Sequence, residues 1–222
     1  MKTHGPLQLD VFIEPMFQEN AYLLWTADGP DAWIIDPGFP PQVAALTDAI
    51  RQHNLAPAAM VITHGHLDHI AGAAGLRDEF PDLRLLVPRD ELHMLTDPAA
   101  NLSAQLGLSV VAPEADQPLA PGDTLTLGPL TWRVLDVSGH SPGGLAYYCE
   151  QVGIVFSGDT LLAGGIGRTD FPGSSTNRLV SNIREQLLTL PDGTVVYSGH
   201  GPATTIARER DTNPFLREGL GW

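Results

Sequence analysis

Four residues able to bind a metal stand close together in Thr63-His64-Gly65-His66-Leu67-Asp68-His69, directly after the apolar run Ala58-Ala59-Met60-Val61-Ile62. Met60 to Thr63 reads as a buried strand, so His64 and His66 leave its end two residues apart, with both side chains on one side of an extended segment. Asp68 and His69 then open a helical pattern through Ile70, Ala73, Ala74 and Leu76. Asp is a favoured N-cap there, and the helix dipole favours a neutral imidazole beside it. Neutral imidazole and ionised carboxylate are the forms that coordinate cations. The competing reading is a polar turn that happens to hold three histidines, and only the rest of a site decides between them.

Three later segments have the same build: Val137-Ser138-Gly139-His140-Ser141-Pro142-Gly143, Phe156-Ser157-Gly158-Asp159-Thr160 and Tyr197-Ser198-Gly199-His200-Gly201-Pro202. In each, Ser-Gly precedes the potential ligand at the end of an apolar strand, where small residues let the backbone approach a shared centre. Singly, each reads as a capped turn; together they make coincidence hard to defend. The set is His64, His66, Asp68, His69, His140, Asp159 and His200. That is too many ligands for one tetrahedral zinc, but it fits two cations bridged by a carboxylate and a water. An all-nitrogen-and-oxygen set suits zinc, iron or manganese.

The elements that must position these residues follow from periodicity. Leu7 to Ile13, Ala21 to Trp25 and Trp33 to Ile35 read as strands, the last closed by the turn Asp36-Pro37-Gly38. Asn20 and Asp36 read there as turn-formers. Val43, Leu46 and Ile50 have helical spacing, with His53 at the helix end. Leu83 to Val87 is a further strand, and Arg89 to Gln117, with His93 and Asn101, reads as irregular helices forming one wall of a cleft. Strands return at Thr124 to Leu127, Thr131 to Val137, Gly144 to Cys149, Gly153 to Phe156 and Thr194 to Tyr197. Asn177 to Leu190 reads as an amphipathic helix, and Thr204 to Arg210 as a last helix before an irregular tail. The glycine-rich run Ala163 to Gly173 lacks the lysine and the strand-to-helix context of a phosphate loop. Together these predict layered sheets flanked by helices.

Composition narrows the partners. Twelve Lys and Arg against 26 Asp and Glu give a net charge of -14, which opposes nucleic-acid binding. No apolar run approaches the ~20 residues of a membrane-spanning helix. The start, Met1-Lys2-Thr3-His4-Gly5-Pro6, has no apolar signal region, so the expected location is cytoplasmic. The lone Cys149 excludes disulfides within the chain and reads as packing. The 222 residues are read as one domain, 1-222, forming a monomer or a homodimer.

The H-x-H-x-D-H run with a later His, Asp and His resembles the metallo-beta-lactamase fold superfamily, from about Leu9 to His200. The resemblance implies an α/β (α+β) fold, a four-layer αββα sandwich with metals at one edge. It implies that His64, His66 and His140 hold one metal, Asp68, His69 and His200 a second, and that Asp159 bridges them. Asp36 would stand behind the ligands. Asp159 resembles the bridging carboxylate of glyoxalase II-like thioesterases and differs from true beta-lactamases. His66 differs from the flavodiiron branch. Gly165 to Gly173 and Asn213-Pro214-Phe215-Leu216 look most like the short glyoxalase II-like hydrolases, and Gly167-Arg168-Thr169-Asp170-Phe171 is also similar to the single-iron persulfide dioxygenases. The chain ends soon after His200, where full-length glyoxalase II carries a helical domain with glutathione contacts.

The expected activity is hydrolysis of an S-acylglutathione, such as S-lactoylglutathione, by a hydroxide shared between two divalent cations, zinc first. Asp68 and Asp159 would be catalytic as well as ligating. Arg168 would meet an anionic part of the small-molecule thioester, or lie idle in a surface loop. A persulfide dioxygenase using His64, His140 and Asp159 is the alternative, with a lactonase or other ester hydrolase, or a non-enzymatic binding module, further behind.

Overall fold

A strand covered on both faces has no polar side, and Asn20–Thr26 is buried along its whole length. In a computed structural model, which describes residues 1–216, that strand lies in the first of two large sheets. This sheet runs in chain order: β1 (Lys2–His4), β2 (Leu7–Ile13), β3 (Asn20–Thr26), β4 (Asp31–Ile35), β5 (Ala56–Val61), β6 (Arg84–Pro88) and β7 (Gln117–Leu119). From β4 onward the pairing is parallel. Helix α1 (Pro40–Gln52) makes the crossover from β4 to β5, and α2 (Leu67–Ile70) with α3 (Ala73–Glu79) the crossover from β5 to β6.

The second sheet contains β8 (Thr124–Leu127), β9 (Leu130–Asp136), β10 (Leu145–Cys149) and β11 (Ile154–Gly158) as an antiparallel meander. A small hairpin follows, β12 (Leu161–Leu162) and β13 (Gly165–Ile166), then helix α4 (Thr176–Asn182). Strand β14 (Val195–Ser198) returns parallel to β11, and β15 (Thr204–Thr205) and α5 (Ile206–Thr212) complete the described chain.

Three apolar layers hold these four layers together. Leu9, Leu24, Trp33, Trp132, Tyr147 and Phe156 fill the space between the sheets. Leu23, Ile34 and Met60 meet Leu46, Ile50 and Leu76 of α1 and α3 on one outside. Ala146, Val155 and Val196 meet Leu179, Ile183, Leu187 and Ile206 on the other. The expected αββα sandwich is therefore the fold. Among the described residues no helix is long and apolar enough to cross a membrane.

Several expectations need correction. The pattern after His69 breaks into α2 and α3 because Gly72 passes close to the turn after β4: its N–H donates to Gly38 O at 2.7 Å, and a Cβ there would come within 2.6 Å of Pro37 O. Asn20 is no turn residue but the buried start of β3. The helix expected over 177–190 is α4 continued by a π turn, Ile183–Leu187. The last helix begins at Ile206, after Thr204 and Thr205 have joined the sheet. Strands β1, β7, β12 and β13 are too short to show a period. From residue 217 on, the tail lies outside the described residues.

Candidate metal centre

Every loop that carries an expected ligand leaves a strand on the same edge of the sandwich. His64 and His66 follow β5, Asp68 and His69 lie in α2, His140 follows β9, Asp159 follows β11 and His200 follows β14. The glycine before each late ligand permits the convergence. Gly139 has φ 135°, and a Cβ on Gly199 would come within 2.7 Å of His69 Cε1.

All seven expected ligands converge. His64, His66 and His140 present ligand atoms within 4.8 Å of one another, as do Asp68, His69 and His200, and as do His64, His69 and Asp159. Asp159 faces both three-residue groups: Oδ1 lies 3.6 Å from His69 Nε2, and Oδ2 lies 3.6 Å from His140 Nε2 and 3.4 Å from His200 Nε2. Asp68 Oδ2 is 3.3 Å from His200 Nε2.

Hydrogen bonds on the far side of the rings set which nitrogen faces inward. Asp36 accepts from Thr63 N–H at 2.7 Å and from Thr63 Oγ1 at 2.6 Å, leaving that hydroxyl to accept from His64 Nδ1 at 3.1 Å. His69 Nδ1 donates to Asp36 Oδ2 at 2.9 Å, and His140 Nδ1 to the Arg168 carbonyl at 2.7 Å. Each of these rings thus turns Nε2 to the centre. His66 is reversed, its Nδ1 lying 3.0 Å from His140 Nε2. The donor set fits divalent cations, because His64 Nε2, His69 Nε2 and Asp159 Oδ1 are buried without a hydrogen-bond partner.

Electrostatics divide the two groups. Burial, then the neighbouring imidazoles, push His64 well below the usual histidine range, and burial with His140 takes His66 to about 3. Both stay neutral and ready to coordinate. Burial opposes the charge on Asp68, but His69 and His200 outweigh it and hold the carboxyl low. His69 differs from the expectation of a neutral ring at a helix start. Burial disfavours its charge, yet Asp68, Asp36 and Asp159 outweigh burial and raise it well above the usual range. Nor is Asp68 the N-cap: His66 occupies that position, and no side chain caps α2.

Asp36 sits where expected, behind the ligands, at φ 47°, a left-handed conformation that Asp tolerates. Arg168 reaches the centre through its carbonyl, while its exposed guanidinium pairs with Asp170 at 2.8 Å and lies 4.6 Å over the Phe171 ring. Phe171 in turn stands edge-on to His66 and His140. Above the ligands opens a cavity of about 450 Å³, walled by Phe17, Leu102, Leu106, Ile166, Arg168 and Phe171. Leu102 and Leu106 come from the irregular region expected to form a wall. His53 and His93 stay away from the centre: His53 bonds Asp10 at 3.0 Å, and His93 is exposed.

Sequence reasoning missed the residues that hold the loops. Asn20 Nδ2 donates to Ser198 O at 3.0 Å and Gly201 O at 2.8 Å, and Tyr22 Oη to Ser198 O at 2.5 Å, fixing the His200 loop. Glu19 and Glu91 are fully buried carboxyls beside the ligand loops. Burial raises both above the usual range. A buried charge-bearing residue in a polar stretch leaves no periodic signal in the sequence.

Comparison with known proteins agrees with this geometry. Residues 15–200 match the model of the metallo-beta-lactamase superfamily. The probable metallo-hydrolase YqgX of Bacillus subtilis is 40% identical over 200 residues, covering 90% of this chain and 92% of that protein. Hydroxyacylglutathione hydrolase GloC of Haemophilus influenzae is 33% identical over 216 residues, covering 95% and 98%. The crystal structure of BLEG-1 B3 metallo-beta-lactamase superposes with a TM-score of 0.88 at 39% identity, covering 94% of this chain and 99% of that one. With its ligand-bearing loops on one edge of an αββα sandwich, the chain belongs to the metallo-beta-lactamase superfamily.

Proposed function

We propose that this protein is a dinuclear metal-dependent hydrolase of the glyoxalase II type, cleaving an S-acylglutathione such as S-lactoylglutathione. The observation that carries the reading is Asp159, one carboxylate with an oxygen toward each group of histidines. His64, His66 and His140 would hold one cation and Asp68, His69 and His200 the other, with zinc the first choice and iron or manganese compatible with the same donors. Two such cations, when bound, supply an acidified water near neutral pH and an electrophile for the carbonyl. The rest falls to the chain. Asp159 holds the two groups in register, Asp68 orients the attacking water at the cavity floor, and the apolar walls exclude bulk solvent and seat the substrate. Arg168, at the rim, meets an anionic part of the thioester. The likeness to the Haemophilus hydrolase along nearly the whole chain supports the thioester as substrate.

One feature favours a second reading, a single-iron persulfide dioxygenase: the Gly167 to Phe171 loop closes directly over His66 and His140. Metal analysis of the purified protein and parallel assays separate the two. Close to two metals per chain and hydrolysis of S-lactoylglutathione are expected, with Asp159→Ala losing most of the rate. Oxygen uptake with glutathione persulfide and one iron would favour the dioxygenase. Hydrolysis of a lactone or of a β-lactam in preference to the thioester would move the substrate within the hydrolases. Thioester turnover unchanged in metal-free protein would falsify the proposal.

A further inference from the structure

We infer that Glu91 is a positioning residue for one half of the metal centre, clamping together the two loops that supply His64, His66 and His140. The inference rests on the two-cation reading of the ligands, and its readout is metal binding rather than turnover.

Glu91 lies in a 3-10 helix, Arg89–Leu95, and is fully buried. Its two oxygens serve two loops. Oε2 accepts from the N–H of Gly65 at 2.5 Å, and Oε1 from the N–H of Gly143 at 2.7 Å. Gly65 stands between His64 and His66, and Gly143 closes the turn that presents His140. One loop leaves the first sheet and the other leaves the second, so the carboxylate spans the two halves of the sandwich at the place where three ligands must meet.

The helix is seated for this contact. A Cβ on Gly65 would come within 2.7 Å of Met94 Cβ, and one on Gly143 within 2.8 Å of Asp90 Cβ, so both loops pass against the helix where only glycine fits. Charge-assisted bonds to backbone N–H are about twice as strong as neutral ones. The hydrogen bonds found for Glu91 reach none of Asp68, His69 and His200. His69 is held by Asp36, and the His200 loop by Asn20 and Tyr22. Asp36 serves both groups, through Thr63 to His64 and directly to His69, whereas Glu91 serves only the first, so losing Glu91 must act on that group first.

A carboxylate is required because both amides are donors. Gln offers one acceptor and turns an amide N–H toward the other donor; Asp offers two acceptors but is one methylene short of spanning them. The test titrates cobalt(II) into the full chain after chelation, following absorbance and equilibrium binding. Wild type takes up two ions. Glu91→Gln is expected to keep one at wild-type affinity and bind the other about 10–100-fold more weakly, as for other groups that orient metal ligands. Combined with His66→Ala it should cause no further loss; combined with His200→Ala it should weaken the remaining site. Unchanged binding of both ions, or equal weakening of both, overturns the proposal. Should the variant fail to fold, amide exchange in the wild-type protein decides. The Gly65 and Gly143 N–H groups are expected to be strongly protected, and exchange at the rate of an open loop would refute the clamp.

Discussion

Asp36 Oδ2 stands 2.9 Å from His69 Nδ1, with neither side chain open to solvent, and so fixes which nitrogen of His69 faces the centre. Asp36→Asn keeps the side-chain volume and the tolerance for φ 47°, but it removes the charge. Metal affinity should fall about 10–100-fold, measured by competition with a chromophoric chelator. Asp36→Ala should cost a further ~1–2 kcal/mol in unfolding, from the left-handed backbone.

Removing the metals should destabilise the protein, because cations bound to the native state alone hold it folded by mass action. At a free metal concentration of 100 Kd the contribution is about 2.7 kcal/mol per site. Chelation should therefore lower Tm by roughly 5–10 °C for each such site, and scanning calorimetry with and without chelator measures it. An unchanged Tm would argue against a native metal centre.

Asn20→Ala should loosen the His200 loop from the opposite sheet. It removes one of the two side-chain donors to Ser198 O, which keeps Tyr22 Oη, and the Asn20 donor to the exposed Gly201 O, so the loss is that of ordinary hydrogen bonds, about 0.5–1.5 kcal/mol each. Urea unfolding should show that loss, and metal binding at the group containing His200 should weaken with it.

Asp116 offers a pH-dependent contribution remote from the centre. The Leu85 N–H, donating at 2.7 Å, holds its carboxyl below the usual range; burial opposes it, and Arg77 adds to the lowering. A depressed folded-state pKa stabilises above the unfolded value, ~3.9, and the gain is lost as pH falls through the folded one. With the side chain 38% exposed, solvent screening limits the gain to under about 1 kcal/mol. Asp116→Asn should cost that much near neutrality and progressively less as pH falls below the unfolded value of ~3.9, read from urea midpoints.

The convergence of the seven candidate ligands was legible because the later three share a local pattern, Ser-Gly and then the candidate at a strand end, and because the first four stand together in one short run. The sandwich was legible where strands are long enough to show alternation, as in Leu130–Asp136. What escaped was long-range. Asn20 reads as a turn residue until the His200 loop is laid against it, and nothing in the sequence marks Glu91 until Gly65 and Gly143 point their amides at it. The protonation of His69 depends on three carboxylates that only the fold brings together.

The distribution of the ligands along the chain has a consequence for biosynthesis. His64 to His69 leave the ribosome first and His200 last; at ~5–20 residues per second the interval is on the order of 10 s. Strand β14, which delivers His200, lies parallel to β11 and so reaches it only through the intervening crossover. A nascent chain thus presents His64 to His69 long before His140, Asp159 and His200 can join them, and the full set of donors exists only once both sheets are in place.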